Sequence, residues 1–104
     1  MIEEIRKAFK QNRYEYSLHA VDKSILKHIR TKEVLEAIKS GQIIEDYPKD
    51  KYCPSCLIFG MTELGRPLHI QCSYPSRSKI KIVTVYEADP EEWRNYTKRR
   101  WRRK

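Results

Sequence analysis

Two segments of the sequence place histidines among cationic side chains, and the first begins at His19. Lys23, Lys27 and Arg30 follow His19 at intervals of four, four and three residues. On a helix these spacings put all four side chains on one face about 80° wide. A cationic face with a group that titrates near neutral pH can bind phosphates and exchange protons. A solvated basic face without a ligand is the alternative, and periodicity alone favours it.

The second segment is 65–72, of sequence GRPLHIQC. Alternate side chains of a strand point to opposite faces, which separates Leu68 and Ile70 from His69 and Gln71. Since the apolar side chains should meet the helices, we expect His69 and Gln71 to look out from an open face of the sheet. An outward histidine without a function is again the alternative.

Three cysteines offer a competing site. Cys53 and Cys56 form a Cys-x-x-Cys, and His69 and Cys72 form a His-x-x-Cys. Together they have the ligand count of a Cys₃His zinc site. However, His69 and Cys72 lie on opposite faces of a regular strand, so the sequence favours buried or edge thiols. We therefore expect no metal and no cofactor.

The composition predicts one small basic domain. The chain has 104 residues, 39% hydrophobic and 35% charged, with a formal net charge of +8; this is room for one modest core. Residues 98–104 carry six of the 22 cations, and without them the balance is 16 − 14 = +2. The predicted organisation is a domain at 1–97 and a basic C-terminal tail at 98–104. Such a tail indicates affinity for a polyanion or simply a solvated end.

The location expected from the sequence is the cytoplasm. No apolar run reaches the roughly 18 residues of a membrane span. The N-terminus lacks the pattern of a signal peptide, and an odd number of cysteines argues against a secreted disulfide framework.

The first part of the chain predicts helices. Apolar spacing indicates helices over 2–11 and about 18–29, and a third from about 31 to a stop at Gly41. Ser17 is the expected N-cap of the second helix. In that helix we expect one apolar face to pack on the sheet, formed by Leu18, Val21, Ile25 and Ile29.

The second part predicts strands over 42–47, 56–61, 68–73 and 79–86. The turns between them are too short for crossover helices, which predicts a four-stranded antiparallel meander. The segment 89–92, of sequence DPEE, is typical of a helix start. The expected fold is therefore α+β, with N-terminal helices packed on the meander and a short C-terminal helix.

Several of these segments resemble a bacterial and archaeal family, the domain of unknown function 4258. The residues that carry the resemblance are His19-Ala20, Lys23, Lys27, Ile29, Val34, Ala37 and Ile38, with the segments 41–48 (GQIIEDYP), 54–57 (PSCL), 65–69 (GRPLH) and 83–90 (VTVYEADP). The resemblance runs from about Ser17 to Trp93, and the Gly-Arg-Pro-Leu-His element is its most specific part.

The resemblance implies a fold similar to RelE-type and BrnT-type toxins and an endoribonuclease that needs no metal. It also implies a partner, a small cognate antitoxin of zinc-finger type. Lys23 and Lys27 replace the family's usual arginines. A lysine keeps the positive charge but lacks the planar guanidinium that binds a phosphate with two hydrogen bonds. His28 stands where the family usually has glycine.

The resulting hypothesis is a toxin that cleaves mRNA. His19 and His69 would transfer the protons, while Lys23, Lys27 and Arg66 would contact phosphates. Gln71 and Tyr86 complete the predicted RNA-binding set.

The alternative is a non-catalytic nucleic-acid-binding or adaptor domain. Its basic tail and three aromatic residues, Trp93, Tyr96 and Trp101, would bind single strands. A zinc-binding protein is the less favoured third hypothesis.

Overall fold

Three short helices precede most of the sheet. The computed structural model describes residues 1–76 and 78–100. The helices are α1 (Ile2–Lys10), α2 (Leu18–Leu26) and α3 (Thr31–Ser40). Ser17 caps α2 as predicted, because its hydroxyl accepts a 3.0 Å hydrogen bond from the Ala20 amide. None of the described helices is long and apolar enough to cross a membrane.

The main sheet has five strands and is mixed. Its strands are β1 (Tyr14–Tyr16), β2 (Gln42–Tyr47), β3 (Ser55–Met61), β4 (Pro67–Ser73) and β5 (Ile80–Glu87), in the spatial order β1-β5-β4-β3-β2. Strands β2 to β5 form the predicted antiparallel meander. The prediction of a sheet with four antiparallel strands is nevertheless wrong, because β1 pairs in parallel with β5. Three residues are too few for a detectable alternation, and their partner lies far along the chain.

The predicted C-terminal helix is replaced by a two-stranded antiparallel ribbon. Strand β6 (Trp93–Arg94) pairs with β7 (Lys98–Arg99). The helix-like signal at 89–92 makes a single turn, in which the Asp89 carbonyl accepts from the Trp93 amide at 3.0 Å. The ribbon reverses at Asn95 and Tyr96, whose φ values of 52° and 62° lie in the left-handed region. This turn geometry suits the twist of paired strands, and neither residue is the glycine that would signal it.

The helices cover one face of the sheet and bury an aliphatic core. Gly60 of β3 lets α3 approach closely, since a Cβ there would lie 1.9 Å from the Ala37 carbonyl oxygen. The core comprises residues of the three helices, of three strands and of the α2–α3 connection: Ile5, Ala8, Phe9, Ala20, Ile29, Val34, Ala37, Ile38, Cys56, Ile58, Leu68, Ile70, Cys72, Ile80, Ile82 and Val85. The ribbon lies against the opposite face, so the sheet is the middle of three layers.

Helix α2 packs through small side chains. Ala20 is fully buried, whereas Leu18 and Ile25 are 87% and 69% exposed. The expectation that Leu18, Val21 and Ile25 pack on the sheet is therefore wrong, and only Ile29, just beyond the helix, is buried. The Ser17 hydroxyl donates to the Val83 carbonyl at 2.9 Å and fixes this orientation. Apolar periodicity locates the helix but here not its buried face.

Candidate nucleic-acid interface

The second face of the sheet is centred on His69. In the β3–β4–β5 register, His69 lies between Phe59 and Tyr86. Its side chain points away from the aliphatic core, as alternation predicted, yet His69 has no exposed surface. The expectation that it looks out from an open face is wrong, because the ribbon covers it.

Both ring nitrogens of His69 are hydrogen-bonded. Nε2 lies 2.6 Å from the carbonyl oxygen of Tyr96, and Nδ1 lies 3.2 Å from the hydroxyl of Tyr86. A carbonyl can only accept, so Nε2 carries the proton and Nδ1 of the neutral ring accepts from Tyr86. Burial lowers the pKa of His69, more than the Tyr96 carbonyl raises it. His69 is thus a neutral group that ties the ribbon to the sheet.

Aromatic packing closes the ribbon over His69. The indole of Trp93 stands perpendicular to the imidazole at a centroid distance of 4.4 Å and is only 3% exposed. Tyr96 packs against Phe59 at 5.8 Å. These contacts use the edge-to-face and tilted geometries that aromatic rings prefer. Trp93 is consequently unavailable as a stacking platform for a base.

An ion pair joins the edge of the ribbon to β2. Arg99 donates to the Glu45 carboxylate at 2.9 and 3.1 Å, and its guanidinium lies 4.6 Å from the Trp93 ring centroid. Burial raises the pKa of Glu45, but hydrogen bonds from Arg99 and Tyr47 outweigh it and leave that pKa lowered. Burial and the same carboxylate raise the pKa of Tyr47 to about 12. Glu45 therefore stays ionised and holds Arg99 in place.

The outer side of the ribbon is cationic. Arg94 and Lys98 are directly opposite each other in the β6–β7 register and both are exposed. Neither has an acidic partner within 4.0 Å among residues 1–76 and 78–100. Like charges directly opposite across a strand pair destabilise it unless an anion lies between them. The arrangement is thus suited to a phosphate.

The structure does not bring His19 and His69 together. His19 is exposed on α2, which packs on the helix-covered face through Ala20. His69 lies on the other face, so the sheet separates the two rings. The predicted proton-transfer pair is not formed.

Arg66 is bound mainly by other parts of the fold, with its side chain 25% exposed. Its guanidinium donates to Glu87 at 2.6 Å, to Glu33 at 3.1 and 3.2 Å, and to the carbonyls of Lys27 and His28 at 2.7 and 2.9 Å. These bonds connect the end of α2, the start of α3 and the end of β5. These bonds use four of the five N–H donors of Arg66, so its main role is structural and it keeps at most one Nη2 N–H for the predicted phosphate contact.

The other predicted RNA contacts are dispersed. Gln71 donates to Ser55 at 3.0 Å and to Asp50 at 3.3 Å, and the Tyr86 hydroxyl is bound to His69. Lys23 is half-buried on α2, and Lys27 is exposed at the C-cap position that follows this helix.

The cysteines do not assemble with His69. Cys56 and Cys72 are direct cross-strand partners in the aliphatic core, on the face opposite His69. Within the described part of the chain no three histidine, cysteine or acidic residues could hold a metal ion. The preference for buried thiols agrees with this placement.

Glu45 and Arg99 are the important residues that the sequence did not indicate. They lie 54 positions apart, Glu45 in a strand and Arg99 in the segment interpreted as a tail. A long-range ion pair of this kind has no signal in a single sequence. Of the predicted tail, Lys98 and Arg99 lie in β7, and residues 101–104 lie outside the described residues.

The architecture is that of a small α+β domain whose sheet carries helices on one face and a cationic ribbon on the other. Residues 16–87 match the family described as domain of unknown function DUF4258. The match covers more than half of the chain, so the protein belongs to this family, as the resemblance indicated. No curated protein and no solved structure matches the chain.

Proposed function

We propose that this protein binds RNA through the outer side of the β6–β7 ribbon. The observation that carries the proposal is the like-charge pair Arg94 and Lys98, directly opposite and without an acidic partner in the described residues. A phosphate between them would relieve their repulsion. Arg100, also exposed, follows on the same ribbon.

The closed inner side of the ribbon supports binding by phosphate contacts. Trp93 and His69 pack against each other and are not accessible to RNA. Their packing fixes the ribbon in a defined orientation. The ribbon backbone therefore holds the positions of Arg94 and Lys98 fixed before binding, so that only their side chains lose conformational freedom when RNA binds. The proposal therefore expects strong salt dependence and little preference for particular bases.

The test is the salt dependence of binding to a fluorescent single-stranded RNA. Replacing Arg94 and Lys98 by glutamine removes two phosphate contacts, so the slope of log K against log salt should fall by about 1.4. Lys49→Gln with Lys51→Gln removes the same charge from an exposed loop and should leave the slope close to wild type. Equal losses in both double variants would defeat the proposal.

Truncation separates the ribbon from the end of the chain. Deleting residues 101–104 removes three cations without touching β7. We expect this variant to keep the contribution of Arg94 and Lys98. Deleting 98–104 also removes β7 and the Arg99–Glu45 pair. A loss of RNA binding in that variant would not distinguish the loss of phosphate contacts from the loss of the ribbon's structure.

The second candidate function is the metal-independent endoribonuclease of a toxin–antitoxin pair. Glu45 favours it, because it is an ionised, half-buried carboxylate on the sheet at the edge of the cationic ribbon. A carboxylate there could accept the ribose 2′-OH proton as the 2′-oxygen attacks phosphorus, Arg99 could stabilise charge on the phosphorane, and the 5′-oxygen would take its proton from water as the P–O5′ bond breaks. This assignment replaces the two-histidine mechanism, since His69 has no free nitrogen.

Cleavage of mRNA by the purified protein in EDTA tests this candidate. Glu45→Gln should abolish cleavage while RNA binding persists, and His69→Gln should affect cleavage only through stability. Absence of cleavage by the wild type overturns the endoribonuclease and leaves the binding proposal standing.

A further inference from the structure

A groove between α1 and α3 lies away from the ribbon. It has a volume of about 680 Å³, within the range of ligand-binding pockets. Its floor is apolar: Leu35 is partly exposed there, and the buried Phe9 and Ile38 lie beneath it. The groove runs beside a nine-residue helix, a length of about 14 Å.

The rim of the groove carries three uncommitted cations. Lys7 and Lys10 come from α1 and Lys39 from α3, and none has an acidic partner within the described ranges. Among the described residues that line the groove, the carboxylate is that of Glu3, and it is bound to Arg6 at 2.8 Å.

Arg6 is itself structural. It donates to the carbonyls of Gly41 at 2.6 Å and Ile38 at 3.3 Å, which closes the C-terminal end of α3. The charge left for a ligand is therefore that of the three lysines.

We propose that this groove docks an acidic amphipathic segment of a partner protein. Apolar side chains of that segment would cover Leu35 and the groove floor, and its carboxylates would meet Lys7, Lys10 and Lys39. An apolar floor with a cationic rim is complementary to such a segment in both shape and charge.

Two other occupants fit the groove less well. RNA phosphates would lose water against the apolar floor without gaining a partner there, and no base can stack in the groove, because Phe9 is only 3% exposed and stacked on Tyr14 at 4.8 Å. A second copy of this chain carries 22 cations against 14 acids, so its approach to a cationic rim is repulsive overall.

The experiment uses a synthetic amphipathic helical peptide with leucines on one face and glutamates on the other. A matched peptide has glutamine in place of glutamate. We expect the glutamate peptide to bind and the glutamine peptide to bind at least about tenfold more weakly. Backbone amide shifts should map to α1 and α3.

Variants place the binding in the groove. Lys7→Gln, Lys10→Gln and Lys39→Gln together should weaken the glutamate peptide about tenfold, and Leu35→Ser should weaken both peptides. The control, Lys49→Gln with Lys51→Gln and Lys79→Gln, has the same net charge and should bind like wild type.

Four results would overturn the proposal. They are no binding of the glutamate peptide, equal weakening by the two triple variants, displacement of the peptide from α1 and α3 by oligouridylate, or a dimer in light scattering that Leu35→Ser dissolves. The first two reject the acidic partner, and the last two assign the groove to RNA or to a second copy. None of them bears on Arg94 and Lys98, so the ribbon proposal is tested separately.

Discussion

The two faces of the sheet are closed in different ways. Three helices cover one face of the sheet. The aliphatic strand residues of that face, such as Ile58 and Ile70, are fully buried beneath them. On the other face, a ribbon of two two-residue strands is held by His69, Trp93 and the Arg99–Glu45 pair. The first closure is non-directional burial, whereas the second depends on a few oriented contacts. The fold is therefore secured by one face, and the cations are displayed by the other.

The largest effect is expected on the helix-covered face. Ile58→Ala should lower the free energy of unfolding by roughly 3 kcal/mol, because Ile58 is fully buried and its truncation leaves a cavity. The chain has a second tryptophan, so Trp93 fluorescence is read here and below in a Trp101→Phe background. In urea, helix signal and Trp93 fluorescence should be lost together at a lower midpoint. Loss of the Trp93 signal at a lower urea concentration than the helix signal would contradict the view that the helix-covered face secures the whole fold.

On the ribbon-covered face, His69→Ala should cost roughly 2 kcal/mol. The Tyr96 carbonyl and the Tyr86 hydroxyl lose their partner and Trp93 loses its contact. Here Trp93 fluorescence should change before the helix signal in urea, and RNA affinity should fall. His69→Gln retains a donor and should lose less; an identical loss in both variants would mean that the hydrogen bonds contribute little.

The ion pair at the ribbon edge should contribute less. Glu45→Gln should lower stability by about 1 kcal/mol or less, because Arg99 is 62% exposed and solvent screens the pair. The difference from wild type should shrink in high salt. A loss that is unchanged in molar salt would point to packing of Glu45 instead of charge.

Acid should weaken the ribbon-covered face specifically. The pKa of His69 is below its ordinary value of 6.5 in the folded protein, so the unfolded chain takes up the proton first as pH falls. Stability is then fully present above pH 6.5 and declines below it, towards the folded pKa. The measurement is the urea midpoint against pH for wild type and His69→Gln. Parallel curves between neutral pH and the titration of the carboxylates would contradict this assignment.

The smallest effect, a gain, belongs to the helix-covered face. His28 follows α2 with φ of 53°, a region that glycine enters without steric cost. His28→Gly should raise stability by roughly 0.5 to 1 kcal/mol, with the ribbon signals unchanged. A thermal melt measures it, and a lower melting temperature would indicate an unseen contact of the imidazole.

Local signals in the sequence predicted much of the fold. The Ser17 cap, the end of α3 at Gly41 and the alternation in β4 depend on neighbouring residues, and each was predictable. The pairing of β1 with β5 and the Arg99–Glu45 contact depend on residues distant in sequence. They were missed because neither propensity nor spacing reports them.

In the candidate site, too, features set by neighbouring residues were predictable, and features set by residues distant in sequence were not. His69 was placed on the correct face of its strand, but its solvent access depends on where residues 93–99 fold. The Gly-Arg-Pro-Leu-His element was correctly judged informative, and its arginine and histidine turn out to bind other parts of the fold. A motif can thus be specific because it organises a fold.

The engagement of Arg66 has a consequence for how the molecule opens. Leu18 and Ile25 of α2 face solvent, so the helix is held mainly by Ala20, the Ser17 hydroxyl and the Arg66 bonds at its end. Few anchors of this kind define a segment that detaches as a unit while the sheet remains paired. Amide protons of α2 should therefore exchange with deuterium through a sub-global opening, well before those of β3 and β4. In Arg66→Gln that opening should become more frequent without a matching change in exchange of the central strands.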